Sequence, residues 1–72
     1  MQRLGDRRPG TVTAFDEHRG LGTVTDAEGR AYGFHCTAIA DGSRTVAVGT
    51  DVTFVLRPGE AGRWQAADLT PA

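Results

Sequence analysis

Little in these 72 residues is equipped to make or break a covalent bond. Cys36 is the single cysteine, and with no triad or cluster to activate it, it reads as a small hydrophobe. His35 beside it and the distant His18 do not make a metal-ligand spacing, and His18 with Asp16 and Glu17 reads as a solvated loop. Gly20-x-Gly22 is not a phosphate-binding fingerprint, because no helix follows and the third glycine is missing. No paired carboxylates, nucleophile with base, or metal cluster can be assembled, so neither an enzyme nor a cofactor is expected. The remaining groups act without covalent change. Phe15, His35 and Trp64 offer flat rings, Arg19 and Arg63 offer cations, and Arg63-Trp64 sets one of each side by side.

Such groups need a scaffold, and composition bounds it. A chain this short forms one small domain and removes only about 60% of its unfolded surface from water. With 39% hydrophobic and 24% charged residues it is of the ordinary globular class, and ten glycines make it turn-rich. It is too short for a dinucleotide-binding fold or a barrel enzyme. Charge is nearly balanced at −1, with eight arginines and no lysine. Its distribution is uneven: Arg3, Arg7 and Arg8 against Asp6 give residues 1–9 a charge of +2, while residues 10–72 hold five arginines against eight acids. A basic arm therefore precedes a mildly acidic body, and it either touches phosphates or is a frayed, solvated terminus. One cysteine permits no intrachain disulfide, and residues 1–9 lack the apolar segment of a signal peptide or membrane span, so a cytoplasmic location without membrane contact is expected.

No helix-period stretch exceeds two turns, whereas valines, threonines and aromatics recur in short runs between glycine-containing turns. Strands are expected over 11–15, 21–25, 31–36, 51–57 and 63–69. Asp26 to Arg30 suits a tight hairpin connection. In the fourth strand Val52, Phe54 and Leu56 alternate with Thr53, Val55 and Arg57, giving one apolar face. Residues 37–49 form a longer connection around Asp41-Gly42-Ser43. With no helix to serve as a lid, five strands must close on themselves. The expected fold is all-β, a five-stranded antiparallel OB-fold β-barrel, with Val12, Val24, Phe34, Ile39, Val52, Phe54, Leu56 and Leu69 in its core.

Over residues 10–70 the chain resembles the bacterial cold-shock domain. Residues 10–24, Gly-Thr-Val-Thr-Ala-Phe-Asp-Glu-His-Arg-Gly-Leu-Gly-Thr-Val, are similar to the family's Gly-x-Val-Lys-Trp-Phe-Asn opening and its Lys-Gly-Phe-Gly-Phe-Ile stretch. Residues 32–39, Tyr-Gly-Phe-His-Cys-Thr-Ala-Ile, resemble Val-Phe-Val-His-Phe-Ser-Ala-Ile. Residues 49–54 and 65–69 resemble Gly-x-x-Val-x-Phe and Gln-Ala-Ala-Asn-Val. The resemblance implies a barrel that lays the bases of single-stranded RNA or DNA on aromatic side chains of its first three strands. Here the family tryptophan is Ala14, the two aromatics after it are Leu21 and Thr23, and those flanking the third-strand motif are Gly33 and Cys36. Phe15 and His35 remain, and Arg19 stands in place of a lysine. Against the ribonucleoprotein pattern, residues 19–26 fill the basic, glycine and valine slots and miss all three aromatic ones.

Base stacking contributes roughly 1–3 kcal/mol per base, so three lost stacks remove at least about two decades of affinity. The resemblance thus implies weak single-strand binding through Phe15, Arg19, Leu21, Thr23, His35, Arg63 and Trp64. Trp64 either acts as a displaced stacking ring beside Arg63 or covers the barrel mouth and fills volume left by Ala66 and Ala67. The alternative function is a protein-interaction barrel, or a homodimer, built on the neutral patch of Leu21, Thr23, Gly33 and Cys36.

Overall fold

The computed structural model describes residues 7–59 and 62–72. Five strands form a closed barrel: β1 (Arg8–Asp16), β2 (Leu21–Asp26), β3 (Ala31–His35), β4 (Asp51–Pro58) and β5 (Trp64–Pro71), in the order β1-β2-β3-β5-β4. Four ladders are antiparallel, and the β3–β5 closure is parallel, through Gly33 and Gln65.

The turns follow from side-chain chemistry. Asp16 Oδ1 accepts the backbone N–H groups of His18 and Arg19, and Gly20 completes that turn at φ +64°. Asp26 Oδ1 accepts those of Glu28 and Arg30, both at 2.9 Å, and Gly29 takes φ +83°, a conformation that glycine adopts without a Cβ clash. His35 ends β3 because its Nδ1 accepts the Thr37 N–H and caps a short 3₁₀ turn, Cys36–Ala38, so Cys36 leaves the expected third strand.

Seven of the eight expected core residues are in the core cluster; Ala66 joins them, and Leu56 is half-buried against it. Leu56 is only half-buried because β1 pairs with β4 no further than Phe54, which leaves the end of β4 with one neighbour, β5. Val55 is buried outside the cluster. Phe54, Leu69, Val12 and Val24 are fully buried, each contributing roughly 1.5–3 kcal/mol.

Two bulges break the strand alternation. Val12 faces Val24 and Ala14 faces Thr23, which leaves Thr13 as an extra residue in β1. Thr53 faces Thr70 and Val55 faces Ala67, which inserts one residue into β5, where Asp68 has φ +53°. The Arg7 guanidinium secures this second bulge: it ion-pairs with the Asp68 carboxylate and donates to the carbonyls of Asp68 (3.0 Å) and Thr53 (3.2 Å).

Strand β1 begins three residues before its expected start, because Arg8, Pro9 and Gly10 pair with Phe54, Thr53 and Val52. Arg8 also reaches Asp26 at 3.6 Å, where their side chains are only 14% and 7% exposed. Asp26 therefore serves both the hairpin and this sheltered pair. Asp26→Ala is expected to lower unfolding free energy by about 1–2 kcal/mol in a urea titration, and an unchanged midpoint would show that neither contact stabilises the fold.

Candidate nucleic-acid interface

Residues directly opposite one another in an antiparallel ladder share a face, so the register defines the outer surface of β1, β2 and β3. Asp16, Leu21 and His35 form one row across it, and Ala14, Thr23 and Gly33 the next. The parallel bridge extends the second row to Gln65, and the β4–β5 ladder extends it to Arg57. Thr11, Thr25 and Ala31 form a third row, where the Thr13 hydroxyl lies 3.0 Å from that of Thr25.

The expected site residues divide on this frame. Leu21 (48% exposed), Thr23 and His35 lie on the outer face together. Arg19 projects from the turn before Leu21, strongly exposed and 3.8 Å from Asp16. Trp64 is 50% exposed at the start of β5, on the Ala66 side of that strand and one residue before Gln65, with exposed Arg63 preceding it on the Gln65 side. It takes no part in the core cluster, although it lies on the side of β5 from which the barrel mouth would be covered.

Phe15 is the correction. It pairs with Gly22 and thus lies on the same side as Phe34, opposite to Leu21 and His35. Its half-buried ring stacks on Phe34 at a 6.1 Å centroid separation and 16° between planes. The physical reason is the bulge: in an unbroken strand Phe15 would alternate away from Val12, and the inserted Thr13 returns it to the inner side.

The arm reading also changes in part. Arg7 and Arg8 are engaged in ion pairs with the barrel, whereas Arg3 lies outside the described residues.

Beyond the first row, the end of β3 and the following connection enclose a cleft of about 460 Å³, lined by His35, Cys36, Thr37, Ile39 and residues 42–44. The Asp41 carboxyl beside it is held below its usual range by donation from the Ser43 N–H, at 2.8 Å, and the Ser43 hydroxyl. Among the described residues, no group of three or more His, Cys, Asp or Glu is placed to hold a metal ion, and no helix is long and apolar enough to cross a membrane.

The model of the 'Cold-shock' DNA-binding domain family matches residues 8–72. The chain belongs to the cold-shock domain family. No curated protein matches it. Membership carries a nucleic-acid-binding fold rather than an enzyme fold. The match also begins at Arg8, the residue at which β1 begins.

In the three rows of this cold-shock domain's outer face, His35 supplies the one ring. Gly22 shows why the shape of that face is held: a Cβ there would meet Phe34 Cζ at 2.4 Å and the Ala14 carbonyl at 2.9 Å, so β2 must approach its neighbours with bare backbone. Sequence reasoning missed Gln65, Arg57 and Arg44. The first two join the surface through the β3–β5 bridge between strands distant in sequence, and Arg44 enters through the folding of the 37–49 connection, so none carried a local signal.

Proposed function

We propose that this domain binds single-stranded RNA or DNA weakly, along the outer face of β1–β3 and onto the start of β5. The carrying observation is the pair of rows Asp16–Leu21–His35 and Ala14–Thr23–Gly33–Gln65, flanked by the exposed Trp64 and by Arg63 and Arg57. His35 offers one ring and Leu21 an apolar surface to bases, while Trp64 supplies a second ring at the rim. Arg19, Arg57 and Arg63 supply cations for phosphates. Two features support weak affinity. Thr23 and Gly33 present no ring, and Asp16 places a carboxylate in the first row that repels phosphate and competes for Arg19. Phe15 acts through Phe34, as support beneath the surface rather than as a stacking group.

Titrating the protein with oligothymidine or oligouridine at low salt is expected to change Trp64 emission, with half-saturation at about a hundredfold higher strand concentration than a full three-ring platform would need. Unchanged emission at several hundred micromolar strand, with no amide shifts on the outer face, would remove this reading.

The exposure of Leu21, at 48%, also supports an alternative in which the neutral face docks a protein or a second copy. Sedimentation separates the two, since a dimer that loses strand binding as it forms favours the alternative.

A further inference from the structure

The cleft beside His35 differs in chemistry from the face it adjoins. Its floor is apolar, from buried Ile39 and half-buried Cys36. Its one cationic donor is Arg44, while the Thr37 and Ser43 hydroxyls donate to His35 Nδ1 and to the Asp41 carboxylate. His35 Nδ1 accepts the Thr37 N–H at 3.2 Å and lies 3.0 Å from the Thr37 hydroxyl, so in the neutral ring the proton is on Nε2. Arg44 lines the cleft and has no ion pair among the described residues. No acidic side chain lines it, and neighbouring Asp41 is occupied by Ser43.

We propose that this cleft seats one guanine base of a bound single strand, with Arg44 as its specificity-determining residue. The inference rests on the outer face being the strand-binding surface, because His35 belongs both to its first row and to the cleft. A flat ring covers the Ile39 and Cys36 floor, which a phosphate would leave bare. Guanine O6 and N7 are adjacent acceptors that match a guanidinium fork, whereas adenine sets an N6 donor beside N7, which the fork cannot pair at both atoms. Cytosine presents a donor at the corresponding edge.

Oligothymidine heptamers carrying a single guanine at successive positions provide the test. At one position guanine is expected to tighten binding about 5- to 100-fold over the all-thymidine strand, and Arg44→Ala to abolish that ratio while leaving thermal unfolding unchanged. If the all-thymidine strand binds and no guanine position improves on it, the guanine seat is overturned and the outer-face reading stands. If no strand binds, the outer-face reading fails, and free nucleotides then decide the cleft alone. Larger shifts of the Thr37, Ser43 and Arg44 amides with guanosine than with adenosine monophosphate uphold the seat. Equal shifts, driven by phosphate, or none, overturn it.

Discussion

Replacing Gly33 by phenylalanine is expected to tighten binding of a short pyrimidine strand by about 5- to 100-fold, the factor that one added base stack supplies. Gly33 lies in the middle of the second row, between Thr23 and Gln65, and is exposed. A Cβ there would meet nothing closer than the Gly22 carbonyl at 3.9 Å, so a side chain leaves this exposed position without a clash at its root. The substitution should also raise stability by up to about 1 kcal/mol, because glycine is a poor strand residue and an aromatic a good one. Gly33→Ala separates the two effects: it should recover part of the stability and none of the affinity. Fluorescence titration of both variants checks this, and equal affinity for Gly33→Phe and the parent would show that bases do not pass over this row.

Gly22→Ala should act in the opposite sense and on stability. Its Cβ would meet Phe34 Cζ at 2.4 Å, Cε1 at 2.8 Å and the Ala14 carbonyl at 2.9 Å. The Phe34 ring cannot swing aside cheaply, being 3% exposed and stacked on Phe15. Overpacking of this kind costs about 2–3 kcal/mol, which in a domain of this size lowers the melting temperature by roughly 10–20 °C. Phe34→Val alone leaves a cavity. Joined to Gly22→Ala it should be less damaging than the two single losses added together, by more than about 1 kcal/mol. Thermal and urea unfolding of the three variants measure this, and strictly additive losses would mean that the ring and the glycine do not compete for the same space.

Five strands and closure into a barrel were legible because Val12, Val24, Val52 and Phe54 recur between turn residues whose chemistry is local. Asp26 and Gly29 make the hairpin that their types predict. What escaped was parity. The resemblance put Phe15 among the binding residues, and the insertion at Thr13 turns it to the inner side. Leu56 was misjudged for a different reason: its alternation is right, and its shielding depends on where β1 stops pairing with β4. On the candidate site, Leu21, Thr23 and His35 shared a face as their strands implied. Their neighbours Gln65 and Arg57 were invisible because they arrive through the long-range pairing of Gly33.

The same long-range closure governs how the molecule is made. Arg8 at the front of β1 waits for Phe54, and Val52 in turn waits for Pro71. No smaller set of strands completes the ring, so while a ribosome is still delivering β4 the β1–β2–β3 meander has its local ladders but not the strands that close over its inner face. The ring, and with it the complete core, therefore closes only once β5 has emerged. A translational pause before that point would leave unpaired strand edges open to neighbouring chains.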